Sequence, residues 1–306
     1  VFLKLAGYFF SGQIMGRIPF TKPALSVPQQ IELLSRRGMV IDDHAEAEHY
    51  LTHLNYCRLA AYWLPFESDH ATHMFLPGTS FRRVLEHYMF DRELRLLVLD
   101  AIERLEVSTR ALWAHHMGVR HGIHSHLDPA LGSDRTHWDS NYRQLAIEVD
   151  RSTETFIKHF KTKYAEELPP VWVVSGVMSL GLLSKWYSNI KPIATRQSIS
   201  RSYGIDHKVL GSWLHHLTYV RNICAHHGRL WNRDMTVTAM IPRSKPMHLH
   251  EIMKPGGRKV YNTLVLLDYL LGTVAPASAW RSRLNSLISD YRIDKSHMGF
   301  PSTYLP

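Results

Sequence analysis

From Phe81 to Gly122 the chain reads FRRVLEHYMFDRELRLLVLDAIERLEVSTRALWAHHMGVRHG. No proline interrupts it, and no glycine stands in it before Gly118. Apolar residues recur every three or four positions, as at Leu94, Leu97, Val98, Ala101, Ile102 and Leu105. That is the period of a helix with one buried face. The stretch is therefore helical, either as one rod or as two helices that meet near Asp91. A stripe of that length needs a layer of further helices to cover it.

The flanking sequence supplies them. Ser26, with Pro28 just inside, opens a helix that Gly38 closes. DDHAEAEHYLTHLNY follows, with its acidic residues toward the N-terminal end, as the helix dipole favours. RLAAYWLPFE is aromatic and reads as buried. Residues 122–133 are a loop, and helices resume at HWDSNYRQLAIEVD and TETFIKHFKTKY. VWVVSGVMSLGLLSKWYSNI is apolar nearly all round and reads as one central buried helix. HKVLGSWLHHLTYVRNICAHHG is a long helix ended by Gly228. MTVTAMIP alternates and reads as a short strand. RKVYNTLVLLDYLLGTVA and SAWRSRLNSLISDY complete an all-α chain with room for one short β-hairpin.

The organised sequence begins around MGRIPFTKPAL, where Met15 is a candidate natural start. Residues 1–18 read as a poorly ordered extension. Their VFLKLAGYFF lacks the basic region and cleavage site of a signal peptide. Residues 19–306 read as one domain, divisible into helical halves of about 19–165 and 166–306. No stretch has the length and polarity of a membrane span. Cys57 and Cys224 follow no metal or disulfide spacing, which suits reduced thiols in a cytoplasmic protein.

The net charge is +9, and arginine outnumbers lysine 24 to 12. That balance points to a polyanionic partner, nucleic acid ahead of a membrane surface. Arginine's planar fork suits phosphate. The basic groups SRRG, FRRV, FKTKY and WRSRL either track an RNA backbone or are ordinary solvated faces. Trp231, Tyr62 and Trp63 are candidates for base stacking, but core packing is the better reading.

One pattern is repeated. Arg221 to His227 reads RNICAHH, and Arg110 to His116 reads RALWAHH. Arginine precedes histidine by five at three other places, Arg82/His87, Arg243/His248 and Arg292/His297. With 24 Arg and 21 His in 306 residues, chance alone gives roughly one or two. Only Arg110/His115 and Arg221/His226 share Ala-His-His, late in a long helix and before a glycine.

Arg and His together suit RNA cleavage by the 2′-hydroxyl. The reaction needs a proton carrier near neutral pH, which is histidine, and a fixed cation on the developing phosphorane charge, which is arginine. Positions i and i+5 lie about 140° apart on a helix, so the pair relies on arginine's reach. Asn222 lies four before His226 and can orient it. Glu106 lies four before Arg110 and can pin that guanidinium. A two-sided acid–base reaction also wants a second imidazole, and the expectation is that the two Ala-His-His helices face one another so that Arg110/His115 and Arg221/His226 flank one basic cleft, the same motif in a homodimer being the rival. His116 and His227 read as supporting or solvated histidines. Adjacent histidines such as 115/116, 215/216 and 226/227 diverge by about 100° and hold one metal poorly. The expected site thus uses neither metal nor cofactor.

The chain resembles the abortive-infection Abi proteins of the AbiD/AbiF type, within the HEPN superfamily. The resemblance runs from about Pro19 to Tyr291. It rests on PFTKPALSVPQQIELLSRRGM, LNYCRLAAYWLPF, the stretch from FLPGTS through IERLEVSTR, PPVWVVSGVMSLG and RNICAHHGRLWNR. The last of these is similar to the HEPN motif Arg-x4-6-His, with Asn after the Arg. The resemblance implies a HEPN-like helical bundle with additional helices. It implies a bacterial anti-phage toxin, a metal-independent endoribonuclease that leaves 2′,3′-cyclic phosphate ends and is held in check by a small structured RNA. Arg221, Asn222 and His226 fall on the motif; Arg110 and His115 fall on a less uniform Arg and His. Gly176 departs from the pattern, standing where relatives often have Glu. Two other functions fit the same residues: an RNA-binding protein with a dead site, and a toxin paired with a nucleotidyltransferase antitoxin.

Overall fold

The computed structural model describes Pro19 and residues 21–302; the expected N-terminal extension at 1–18 lies outside the described residues. The chain divides into two compact units between Arg82 and Arg83, whereas the sequence reading puts its division near residue 165.

The first unit holds α1 (Val27–Arg36), α2 (His44–Leu54), α3 (Tyr56–Trp63) and a hairpin of β1 (Glu67–Asp69) and β2 (Met74–Phe75). Ser26 and Gln29 form a reciprocal capping box on α1. Asp43 caps α2 by accepting from the Glu46 N–H at 2.9 Å. Asn55 ends α2 and caps α3 through the Cys57 N–H at 2.8 Å. Leu34, Leu51, Leu59, Tyr62, Trp63 and Phe75 fill the core. This settles Tyr62 and Trp63 as packing residues.

α4 (Phe81–His121) begins at the boundary. It is one helix of 41 residues, about 60 Å long, with no joint at Asp91. Its apolar stripe, from Phe90 through Leu94, Val98, Ile102 and Leu105 to Trp113, is buried. The second unit continues with α5 (Arg135–Arg151), α6 (Thr155–Lys163), α7 (Val171–Val177), α8 (Leu180–Asn189), α9 (Ile193–Arg201), α10 (His207–Ala225), α11 (Met247–Ile252), α12 (Tyr261–Val274) and α13 (Trp280–Asp290). α8 packs chiefly on α10 and α5. Trp280 ties α13 to α4, its Nε1–H donating to the Leu97 carbonyl at 2.8 Å. Among the described residues no helix is long and apolar enough to cross a membrane.

Two sequence expectations are corrected. The single buried helix over 171–190 is two helices, α7 and α8, broken at Met178–Ser179. Ser179 caps α8 through the Leu182 N–H, and its own N–H and hydroxyl donate to Glu148 at 2.9 and 3.1 Å. MTVTAMIP forms no strand. Its alternating burial is real, but side chains of α10 replace a partner strand. Trp213 Nε1–H donates to the Met240 carbonyl, and His216 Nδ1 bonds the Val237 carbonyl. The hairpin lies at Glu67–Phe75 instead. α9 and α11 are helices that the sequence reading leaves unassigned.

Two histidines of the second unit make its stability pH-dependent. Burial pushes His87 and His126 down to about 4 from the ordinary 6.5. Both are neutral when folded and take up protons on unfolding below pH 6.5, so stability is full above 6.5 and falls as pH drops toward 4. The melting temperature should decline between pH 7 and 5, before exposed carboxylates titrate. His87→Phe should flatten part of that slope in a thermal-melt series, and a wild-type melting temperature constant over that range would contradict the assignment.

Candidate functional site

α10 buries Trp213, Leu214, Leu217, Val220, Ile223 and Cys224 on one side. Its opposite side ends in the second motif: Arg221 is half-buried, and Asn222, His226 and His227 are exposed. Arg221 Nη1 donates to Asn222 Oδ1 at 3.3 Å, so the asparagine holds the arginine directly. The helix closes through a Schellman motif. The Gly228 N–H reaches the Ile223 carbonyl at 2.8 Å and the His227 N–H the Cys224 carbonyl at 3.1 Å. The left-handed residue of that turn is His227, with φ +57. Gly228, expected to end the helix, is the residue after it.

The chain beyond the turn is anchored to α4. Asp91 accepts the N–H groups of Leu230 at 3.0 Å and Trp231 at 2.6 Å, and it pairs with Arg95 one turn along α4. Asp91 is 0% and Arg95 5% exposed. Trp231 is fully buried against the ring of His87 at 4.6 Å and that of His297 at 5.5 Å, so it packs and is not available to stack a base. Cys224 lies in the same buried cluster. Burial, with the Asp91 charge adding to it, pushes its thiol up to about 12, which leaves it protonated and unreactive.

The first motif sits differently. Arg110 pairs with Glu106 and also donates to the carbonyl oxygens of Met178 and, at 3.5 Å, Gly176. The carboxylate facing Arg110 thus comes from its own helix, and position 176 contributes only its backbone. His115 is exposed, with the ring of His116 5.1 Å away. Burial lowers the pKa of half-buried His116, and the charges of His115 and Arg120 lower it further. Arg110 and His115 line one groove of about 680 Å³ between α4 and α7, together with Trp172, Ser175 and Gly176.

The start of α8 is a common neighbour of both motifs. Met178, just before it, takes Arg110. Gly181, within it, lies against Thr218, whose Cγ2 would stand 3.3 Å from a Cβ there, and Thr218 is three residues before Arg221. The histidines are not brought together in the same way. His115 lies twenty-four residues beyond Asp91 on one continuous helix, about 36 Å away. His226 is only four residues from Leu230, whose N–H Asp91 holds. The two imidazoles therefore stand at different heights along α4. His216 is structural, bonded to the Val237 carbonyl and Thr263 Oγ1. Among the described residues no three His, Cys, Asp or Glu side chains gather as a metal site.

Sequence reasoning missed Asp91 and Arg95 as the anchor. The signal was present: both fall on the stripe of Phe90, Leu94 and Val98, where a charged pair at i, i+4 is out of place unless it holds something buried.

A family model described as Abi-like protein matches residues 49–232, which include both motifs and the Asp91–Arg95 anchor. No curated protein and no solved structure matches the chain.

The anchor predicts a stability effect. Asp91→Ala leaves Arg95 buried without its carboxylate and two backbone N–H groups without an acceptor. The cost should be about 3–5 kcal/mol, far above that of an exposed pair such as Arg135–Asp139. Urea unfolding of the two single variants, Asp91→Ala and Asp139→Ala, measures the difference, and equal small losses would contradict it.

Proposed function

The chain belongs to the family of Abi-like proteins, and from that membership we propose that it acts in abortive-infection defence against phage as a HEPN endoribonuclease. The observation that carries the reading is the end of α10. Asn222 and His226 are exposed there and Arg221 is half-buried beside them, just before residues that Asp91 of the buried Asp91–Arg95 pair fixes to α4. A ribonuclease needs its cation and proton carrier accessible on an anchored backbone, and the end of α10 supports that reading.

In the reaction, the 2′-hydroxyl attacks the adjacent phosphorus and its proton leaves. The 5′-oxygen of the next nucleotide departs and takes a proton. The products are a 2′,3′-cyclic phosphate and a 5′-hydroxyl. Arg221 stabilises the phosphorane charge, His226 moves one of the protons, and Asn222 keeps Arg221 in place. The second imidazole comes from His226 of a second copy. The different heights of His115 and His226 along α4 favour that arrangement over pairing within one chain. Arg110, already bonded to Glu106 and to the carbonyl of Met178, holds structure and substrate. A small structured RNA restrains the toxin until infection.

Arg221→Ala and His226→Ala should each abolish growth arrest on induced expression, with unchanged melting temperature. They should lower RNA cleavage on the order of 10²–10⁴-fold. Cleavage should persist in EDTA and fail on RNA carrying a 2′-deoxy residue at the scissile position. Growth arrest by a folded His226→Ala protein would refute the reading.

A further inference from the structure

The groove between α4 and α7 has an unusual wall. Trp172 is 54% exposed, although tryptophan is among the residues with most to gain from burial. The backbone fixes its position. A Cβ on Gly118 would stand 3.1 Å from Val171 Cγ2, so the bare glycine lets the start of α7 lie close along α4, and this sets the neighbouring indole within ordinary contact distance, 3.8 Å from that position. The floor beneath is made of Ala111 and Ala114, with Val107 and Val119 at the margins. The polar groups in this groove include Arg110 and His115, and Glu106 is the carboxylate that faces Arg110. Arg120 stands on the same helix, near enough for its charge to act on His116.

An aromatic face, a shallow apolar floor and cations beside them are complementary to one chemistry: a flat base joined to a phosphate. We propose that this groove is a nucleobase subsite, in which an unpaired base of single-stranded RNA stacks on Trp172 while His115 takes the adjoining phosphate together with the Nη1 side of Arg110, whose Nη2 is held by Glu106 and Met178. The inference rests on the ribonuclease reading above and gives the first motif a task in holding substrate. Charge favours RNA over a second copy of this chain as the occupant. The chain carries +9, and a two-fold contact through this groove would set its guanidinium and imidazole against their own copies, whereas a phosphate is complementary to both. Its volume of about 680 Å³ is that of a pocket for one small group.

Binding is measured by fluorescence anisotropy on the full chain carrying His226→Ala, so that the RNA stays uncut. The probes are a fluorescein-labelled oligouridylate and an abasic oligomer of equal length and charge. Trp172→Ala should weaken oligouridylate binding roughly tenfold, the worth of one stacked base. Trp172→Phe should recover most of the loss. The abasic oligomer should bind weakly and be indifferent to Trp172→Ala. Ala111→Glu, at an exposed helical position, should weaken both probes by repelling the phosphate. Unchanged oligouridylate affinity in Trp172→Ala overturns the subsite. If that variant also elutes at a smaller size, the groove is a contact between copies. Failure of the subsite alone leaves the parent chain binding RNA and the unsubstituted protein cleaving it, whereas a parent that binds no RNA overturns both readings.

Discussion

A carboxylate in a protein interior persists only when its charge is matched and its oxygens are bonded. Asp91 meets both conditions at once: Arg95 supplies the charge, and the Leu230 and Trp231 N–H groups fill the oxygens. The arrangement is reciprocal. The turn after α10 would otherwise leave two backbone donors buried and unpaired, and α4 would otherwise bury two charges along its apolar stripe. Each solves the other's desolvation problem. The result is a fixed join between the longest helix of the protein and the segment that carries Arg221 and His226. The packing of Trp231 on His87 and the inertness of Cys224 follow from the same join.

The helical character of the chain was legible because α4, α5, α10, α12 and α13 carry the 3.6 period over many turns, and tertiary contacts had no need to override it. The capping of α1 was written in adjacent residues. What was not legible depends on partners distant in sequence. The break before α8 turns on Ser179 meeting Glu148, thirty-one residues earlier. The alternation at Met235–Ile241 is answered by Trp213 and His216 of α10, and nothing local distinguishes that from a strand. Of the candidate site, the identity of both Arg–His motifs was plain, but their difference was not. Arg110 and Arg221 look equivalent in sequence. One is engaged by Glu106 and the backbone around Met178, and the other leans on Asn222 through one bond of 3.3 Å.

That difference suggests how one repeated pattern comes to serve two tasks. An arginine with one edge committed to fixed acceptors is rigid, which suits a wall of a binding groove that offers its other edge to a ligand. An arginine leaning on a neighbouring amide keeps most of its charge and can follow a phosphate as geometry changes in the reaction. On the proposed ribonuclease reading the net charge of +9 serves both tasks by attracting a polyanion, and α4 is the element to which both motifs are tied.

His227 closes α10 in the left-handed conformation, a region where side chains with a Cβ crowd the following carbonyl. Glycine would fit with no such crowding, and among other residues asparagine, aspartate and histidine enter it most readily. The position is therefore closed to β-branched and bulky apolar replacements on backbone grounds alone, before any question of chemistry. The residues that fit there at least backbone cost are few. Among them, histidine is the member that adds a second imidazole directly beside His226.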